Sequence, residues 1–288
     1  MNVLSFGEIL WDVYPDKKYI GGAPLNFAAH FIKLGGDAAM ISALGDDELG
    51  REALEKLKGW KINSDHVAVL KNVPTGKCLV TLDGGGKPSY DLLYGVAYDN
   101  IDCSLAGERF DALYFGTLAL RGGDNMRGLK KIIENNGFGE IFVDVNVRPP
   151  FYSKESISFA LENATVVKIS DEELPVVTRE IFGSEPTFSD AAKMIAARFS
   201  RIKMIVITRG ADGAYAYDAK EKKEYNSAAE KVEVVSTVGA GDSFSAAFMH
   251  GYLSGEPTEK CLSRAGKLAA LVVSKADAIP EYDAKEIR

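Results

Sequence analysis

Short apolar runs rich in Val, Ile and Phe alternate along this chain with longer amphipathic stretches. Such runs are typical of strands buried on both faces, whereas the stretches repeat apolar positions at helical spacing. The predicted strands cover residues 3–9, 38–43, 112–115, 141–145, 165–169 and 204–208. The predicted helices cover residues 25–34, 48–58, 126–134, 157–162, 191–199, 242–253 and 258–274. Strands alternating with helices predict an α/β fold with a mainly parallel sheet covered on both faces.

One segment departs from this alternation. Between residues 67 and 94, short strand-like runs are separated by turn clusters such as the one at 83–86, which is typical of hairpins. No linker or change of composition marks a domain boundary. We therefore expect a single domain over residues 1–288 that carries a small β-flap, a lid formed by segments at about 11–20 and 67–100.

The composition of the chain limits which classes of partner it can bind. The chain of 288 residues has 34 Lys and Arg against 41 Asp and Glu, a net charge of −7. An acidic chain argues against a nucleic-acid or membrane interface, since both need clustered basic side chains. No apolar run approaches the roughly 20 residues that cross a bilayer. The first residues lack a signal-peptide pattern and the three cysteines are scattered. We expect a reduced, cytoplasmic protein.

Common catalytic signatures do not occur in the sequence. The chain holds no GxxxxGK[ST] phosphate loop, no GxGxxG after a strand, no GxSxG and no HExxH. Its three histidines lie far apart, and we interpret them as core or surface residues.

The most informative run is STVGAGDSF at residues 236–244, directly before an Ala-rich helix. The small residues Gly239, Ala240 and Gly241 allow backbone N–H groups to converge, and the helix end adds partial positive charge. The run therefore predicts an anion-binding turn. Asp242 could reach a group held there, or it could simply cap the helix.

A second run, GGAPLN at residues 21–26, also opens a predicted helix. Its glycines permit close approach of a ligand to the backbone, and Pro24 suits a first helical turn. The Asn26 amide can both donate and accept hydrogen bonds. By itself the run is equally consistent with a turn and a helix cap.

Together, the two runs resemble the signatures of the ribokinase-like (PfkB) family of sugar kinases. Residues 22–50 are similar to the first family signature and residues 237–244 to the second, and the resemblance covers essentially the whole chain. It implies a three-layer sandwich with a mainly parallel central sheet flanked by helices, plus the lid. Within the family, the motifs GEILWD, GGAP, VAYD and DVNVR resemble those of fructokinases.

The resemblance implies transfer of the γ-phosphoryl of ATP to a primary hydroxyl of a sugar. Asp242 would accept the proton of the attacking hydroxyl. The backbone amides of Gly239, Ala240 and Gly241 would hold the transferring phosphoryl.

The resemblance also assigns the sugar site. Asp12, Gly22 and Asn26 would bind the sugar. Arg148 stands at the end of the DVNVR strand, where it could contact sugar or phosphate, or pair with a structural carboxylate.

On the nucleotide side the resemblance points to a glycine turn, a magnesium-organising motif and a helix position beside the adenine. These residues are Thr208, Gly210, Gly213, Ser170, Glu173 and Gly266. Glu173 would organise Mg²⁺, through water. Ser170 replaces the usual Asn of that motif, so the metal role rests on Glu173. Gly266 could equally serve helix packing.

Two departures concern a monovalent cation. Ser236 stands where many family members have Asp, and the segment KADA at residues 275–278 replaces the usual RxGA. Both changes would remodel the same cation site, and they argue against a requirement for K⁺.

We therefore expect an ATP-dependent sugar kinase, with fructokinase as the first hypothesis. The first alternative is a 2-keto-3-deoxygluconate kinase, which would use Arg148 to bind a carboxylate, followed by a ribokinase or nucleoside kinase. A catalytically silent sugar-binding protein is the alternative of a different class, and the intact GAGD motif argues against it. The expected partner is a small-molecule sugar, and exposed strand edges of the lid could also pair two copies as a homodimer.

Overall fold

The computed structural model describes residues 1–82, 88–105 and 108–287, so the turn predicted at 83–86 lies outside the described residues. The strands are β1 Asn2–Phe6, β2 Leu10–Val13, β3 Lys18–Gly21, β4 Asp37–Gly45, β5 Asn63–Leu70, β6 Gly76–Leu82, β7 Pro88–Leu92, β8 Ala112–Phe115, β9 Glu140–Asp144, β10 Val166–Ser170, β11 Met204–Thr208, β12 Ala214–Asp218 and β13 Lys223–Ser227. The helices are α1 Ala23–Lys33, α2 Glu48–Gly59, α3 Gly123–Asn135, α4 Lys154–Asn163, α5 Leu174–Phe182, α6 Phe188–Arg198, α7 Ala240–Leu253 and α8 Thr258–Val273.

A large sheet forms the middle layer, in the order β13-β12-β11-β10-β9-β8-β1-β4-β5. Its strands pair in parallel except for β12 and β13, which are antiparallel. Successive residues of a strand face opposite layers. On β11, Met204 and Val206 belong to the apolar cluster that includes residues of α1, α2, α7 and α8, whereas Ile205 and Ile207 belong to the cluster that includes residues of α3 to α6. The predicted three-layer α/β sandwich is confirmed.

The strand order reverses around β1, which pairs with β4 on one side and with β8 on the other. In open parallel sheets, ligands bind outside the carboxyl ends of the strands at such a reversal. The fold therefore directs attention to the residues that follow β1, β9, β10 and β11.

A second, smaller sheet has the order β3-β2-β6-β7 and forms the lid. It covers an apolar cluster that includes Leu10, Cys78 and Tyr98, and Tyr98 is wholly buried there. The segment 67–70, which we assigned to the lid, instead belongs to β5 and pairs with β4 in the large sheet. The physical reason is that β4 offers this segment a parallel partner strand, on which Val67 packs half-buried against the main core.

Three elements were absent from the sequence-based prediction. These are helix α5 and the two strands of the hairpin, β12 and β13. None of the helices in the described ranges is both long and apolar enough to span a membrane. All three cysteines are free thiols; Cys78 and Cys261 are buried.

Candidate active site

Helix α7 begins beside a turn that only glycine can make. Gly239 has a φ of +79°, in the left-handed region. A Cβ on this residue would lie 2.7 Å from the Ala278 Cβ and 2.9 Å from the Ala278 carbonyl oxygen. Close packing and left-handed backbone therefore both require glycine at this position.

This turn presents unused hydrogen-bond donors. Across the described ranges, the N–H groups of Gly239, Gly241 and Asp242 have no acceptor and no side chain caps the helix. The Ala240 N–H points to the Thr237 carbonyl oxygen, 3.3 Å away. Free amides at a helix N-terminus attract anions. The turn is thus able to hold a phosphoryl group, as the motif predicts, although the Ala240 amide is already engaged.

The Asp242 carboxylate is held next to this turn by a residue from the other end of the chain. Asn26 Nδ2 donates to Asp242 Oδ2 over 2.7 Å. Burial raises the pKa of Asp242 to about 6, and the negative charge of Asp144 acts in the same direction. The Asn26 hydrogen bond and the positive charges of Lys168 and Arg148 oppose the rise. A carboxylate with this pKa is a better proton acceptor than an ordinary aspartate and is still ionised at neutral pH.

The predicted sugar residue Asp12 lies beside Gly21, the chain neighbour of the predicted sugar residue Gly22. Gly22 has a φ of +115°, and a Cβ there would lie 2.3 Å from the Glu8 carbonyl oxygen. Asp12 Oδ2 lies 3.4 Å from the place that a Cβ on Gly21 would take. Burial raises the pKa of Asp12, while the positive charge of Arg148 lowers it. Arg148 is exposed, yet its charge acts on both Asp12 and Asp242.

Glu8 was not among the predicted site residues. Its side chain is 2% exposed, and Oε1 accepts a hydrogen bond from the Ala23 N–H over 3.3 Å. Oε2 is buried without a partner in the described part of the chain. Burial raises the pKa of Glu8 to about 7, and the charge of Asp242 adds to the rise. The available signal was a charged residue inside the apolar predicted strand 3–9; the structure ends that strand at Phe6, so Glu8 lies beyond its carboxyl end.

Lys168 and Asp144 were also missed as site residues. Lys168 lies in β10 and its Nζ donates to Asp144 Oδ1 and Oδ2 at 2.9 and 2.8 Å. Nζ also lies 3.0 Å from the place that a Cβ on Gly241 would take, so the ammonium adjoins the turn before Asp242. A lysine inside the apolar run 165–169 was the sequence signal. A buried cation in a parallel strand requires a partner and is therefore informative.

Ser170 and Glu173, both predicted to lie on the nucleotide side, bind each other. The Ser170 N–H donates to Glu173 Oε2 over 2.8 Å, and the Glu173 N–H donates to Ser170 Oγ over 3.2 Å. Burial raises the pKa of Glu173, opposed by the positive charge of Lys168. Ser170 is aligned with Thr208 on β11, which leads to the turn of Gly210 and Gly213.

Both glycines of that turn have positive φ, +49° at Gly210 and +86° at Gly213. A Cβ on Gly213 would lie 2.0 Å from a carbonyl oxygen of β13. Gly266 differs from them, since it lies within α8, where a Cβ would meet no atom within 4 Å.

The segment 275–278 adjoins the turn at Gly239 through Ala278. The His30 Nε2–H donates to the Ala278 carbonyl oxygen over 2.9 Å, and His30 Nδ1 accepts from the Tyr282 hydroxyl, also over 2.9 Å. Burial lowers the pKa of His30 to about 4. His30 is thus a neutral core residue, which agrees with our interpretation from the sequence, and it anchors the segment that packs on Gly239.

Comparison with known proteins agrees with this geometry. The model of the pfkB family of carbohydrate kinases matches residues 5–285. A probable fructokinase-5 of Arabidopsis thaliana is 30% identical over 86% of this chain and 81% of its own length. A 5-dehydro-2-deoxygluconokinase of Bacillus cereus is 27% identical over 91% of this chain and 83% of its own length. A fructokinase of Vibrio cholerae, crystallised with fructose, ADP and calcium, superposes with a TM-score of 0.84 at 22% identity, covering 96% of this chain and 94% of that structure.

Proposed function

The chain belongs to the pfkB family of carbohydrate kinases, and on that basis we propose that it phosphorylates fructose on a primary hydroxyl with ATP as the donor. One observation carries the proposal. The Asn26–Asp242 hydrogen bond of 2.7 Å places a carboxylate base beside a helix turn with free amides. A base next to an anion-binding turn is what phosphoryl transfer to a hydroxyl requires.

In the proposed mechanism, the sugar lies between Asp12, Gly22 and Asn26. The buried Asn26 Oδ1 has no partner in the described residues and accepts a hydrogen bond from a sugar hydroxyl. The attacking hydroxyl oxygen forms a bond to the γ-phosphorus as the bond to the β–γ bridging oxygen breaks. Asp242 takes the hydroxyl proton, and ADP leaves. The free amides of Gly239 and Gly241 bind the transferring phosphoryl, and the Ala240 amide joins them by giving up its long bond to Thr237.

Mg²⁺ fits the residues on the nucleotide side. When bound with ATP, it neutralises phosphate charge and retains most of its water ligands. Glu173 is fastened through Oε2 to the Ser170 N–H, which leaves Oε1 to reach a water of the ion. The turn of Thr208, Gly210 and Gly213 lies beside this carboxylate because β10 and β11 are paired. Its positive-φ glycines let the backbone approach the nucleotide. In the same proposal, Gly266 flanks the adenine.

A sugar acid is the second candidate substrate, because Arg148 suits it. The guanidinium is exposed, and its charge reaches the Asp12 and Asp242 carboxylates. One similar protein is named for a gluconate derivative. Arg148 would bind the carboxylate of such a substrate in bidentate fashion, whereas with fructose it would bind hydroxyl or phosphoryl oxygens.

The deciding experiment measures ADP release with Mg-ATP and each of fructose, 2-keto-3-deoxygluconate, 5-dehydro-2-deoxygluconate, ribose and adenosine. We expect the highest kcat/KM with fructose. In the variant Arg148→Met, the KM for fructose should rise less than tenfold. A preferred acidic substrate, with a KM that rises by two orders of magnitude or more in this variant, would overturn the fructose assignment. Sugar binding without turnover on any substrate would favour a silent sugar-binding protein.

The cation departures carry a separate proposal. We call the turn at residues 239–242 the phosphoryl turn. Ala278 packs directly on Gly239, so the altered segment 275–278 borders this turn. Ser236 Oγ accepts a hydrogen bond from the Val238 N–H over 3.3 Å. We propose that turnover changes less than threefold when K⁺ is replaced by choline. A strong K⁺ requirement would contradict this.

Two copies of the chain are proposed to pair through the lid. Its sheet exposes Leu79, Tyr90 and the adjoining Tyr94 to solvent. Exposed strand edges and apolar side chains favour pairing with another sheet. Light scattering after size exclusion should give twice the mass of 31.2 kDa, and Tyr90→Lys should shift the protein to the monomer.

A further inference from the structure

Lys168 is a buried cation in the middle of a parallel sheet. Its side chain is 7% exposed and that of Asp144, on the neighbouring strand β9, is 1% exposed. Removing charges from water is unfavourable unless they are paired with good geometry. Both oxygens of Asp144 accept hydrogen bonds from Nζ, at 2.9 and 2.8 Å. The buried ammonium and the buried carboxylate therefore satisfy each other.

The pair is fastened to the first turns of α7. Ser245 Oγ lies 2.9 Å from Asp144 Oδ2 and 3.0 Å from the Gly241 carbonyl oxygen. On the other side of the turn, Lys168 Nζ lies 3.0 Å from the place that a Cβ on Gly241 would take. Glycine at 241 leaves room for the ammonium. Strands β9 and β10 thus fix the first turns of α7 against the sheet, through the Lys168–Asp144 ion pair and the hydroxyl of Ser245.

The ammonium of Lys168 is placed where it can stabilise nearby negative charge. It lies behind the turn whose amides face the proposed phosphoryl site, and it is near enough to Asp242 and Glu173 to oppose the rise in pKa that burial causes in both. Phosphoryl transfer moves negative charge between the donor and acceptor oxygens. A fixed cation in a dry site stabilises such charge without reorganisation of water.

We propose that Lys168 is a positioning residue for phosphoryl transfer: held by Asp144, its ammonium fixes the first turn of α7 against the sheet and supplies positive charge behind the phosphoryl-binding amides. The inference rests on the proposed role of that turn and is independent of which sugar is the acceptor.

The test compares wild type with Lys168→Met in four measurements. These are kcat with the accepted sugar, the Kd of that sugar, the Kd of a non-hydrolysable ATP analogue, and the Kd of ADP with aluminium fluoride in the presence of sugar. The last probe resembles the transferring phosphoryl. We expect kcat and affinity for the aluminium fluoride complex to fall together by about 10²-fold. The other two constants should change less than threefold, because they do not report on the transition state.

Arg264→Met is the matched control. Arg264, itself buried, forms an ion pair with the half-buried Glu256 near the other end of α7, with Nη1 and Oε1 2.7 Å apart. Losing that pair destabilises the protein without touching the phosphoryl turn, so kcat should stay within twofold of wild type. A general effect of weakened folding would instead lower kcat in both variants, and that result would overturn the proposal.

A second variant keeps the proposal testable if Lys168→Met does not fold. The double variant Lys168→Met/Asp144→Asn leaves no unpaired buried charge and should fold. It should show the same loss of kcat, since the positive charge is gone. A kcat within threefold of wild type, or equal weakening of the ATP analogue and the aluminium fluoride complex, overturns the proposal. If the wild-type protein does not phosphorylate fructose, the same measurements use the sugar that it does phosphorylate. The fructose assignment and the role of Lys168 can therefore fail independently.

Discussion

Asn26 and Asp242 are joined by a 2.7 Å hydrogen bond although 216 positions separate them in the chain. The amide nitrogen binds the carboxylate, and the amide oxygen remains buried without a partner in the described residues. One side chain can therefore orient the proposed base and the sugar at the same time. Both signature motifs of the chain thus meet in one site.

Replacing Asp242 by Asn should remove the proton acceptor while keeping shape and hydrogen bonding. We expect kcat to fall on the order of 10²–10⁴-fold, the usual contribution of a positioned base. The Kd of the sugar, measured by calorimetry, should change less than threefold. A variant with a near-normal rate would show that Asp242 is not the base.

The pH profile should report the ionisation of Asp242. Because burial raises its pKa to about 6 and only the ionised form accepts a proton, kcat/KM should decline as the pH falls through about 6. In Asn26→Ala the hydrogen bond that opposes this rise is lost, so the acid limb should move to higher pH. An unchanged limb in Asn26→Ala would contradict the coupling between the two residues.

Glu8→Gln should stabilise the protein at high pH. Burial raises the folded-state pKa of Glu8 from 4.5 to about 7, so between these values the folded state binds more protons than the unfolded state. Wild-type stability therefore carries a cost that grows as the pH rises from 4.5 to 7, reaching about 3 kcal/mol. Urea unfolding should give Glu8→Gln a clearly higher free energy of unfolding than wild type at pH 8 but not at pH 5.

His30 should have the opposite linkage. Its folded-state pKa is lowered from 6.5 to about 4, so the unfolded state binds the extra proton between these values. The contribution of His30 is present above pH 6.5 and is lost as the pH falls towards 4, by about 3 kcal/mol. The difference in unfolding free energy between wild type and His30→Gln should shrink over this range. A constant difference would contradict the assignment of a neutral, buried imidazole.

Gly239→Ala should damage the phosphoryl turn. An alanine at this position would have to adopt a φ of +79°, and its Cβ would lie 2.7 Å from the Ala278 Cβ. The turn must therefore shift, and its amides lose alignment. We expect kcat to fall by about 10²-fold or more, with sugar affinity retained.

Gly59→Ala is the control for this substitution. A Cβ at Gly59, the last residue of α2, would meet no atom within 4 Å. The exchange should raise the free energy of unfolding by up to about 1 kcal/mol through helix propensity and leave the kinetics unchanged. Equal kinetic losses in both variants would remove the special role of Gly239.

The sequence by itself determined the layers and the local chemistry. Continuous apolar runs such as 204–208 are buried on both faces, which is why they predict a parallel sheet. The glycine runs at 21–22 and 239–241 predict turns where backbone meets ligand, because only glycine tolerates such geometry. In contrast, β12 and β13 escaped prediction because their antiparallel hairpin follows the last parallel strand and breaks the alternation with helices.

Only the tertiary structure decided which side chains meet. Glu8 and Lys168 are charged residues in apolar runs of the sequence, but only the structure shows where they lie. Glu8 has a buried oxygen without a partner in the described residues and lies beside Gly22, and Lys168 has a buried ammonium next to Gly241. Segment 67–70 has strand character in the sequence, but its place in the large sheet depends on its pairing with β4, where Val67 packs half-buried against the main core. Periodicity reports how a segment is buried, whereas pKa, pairing and neighbours depend on residues brought close from distant parts of the chain.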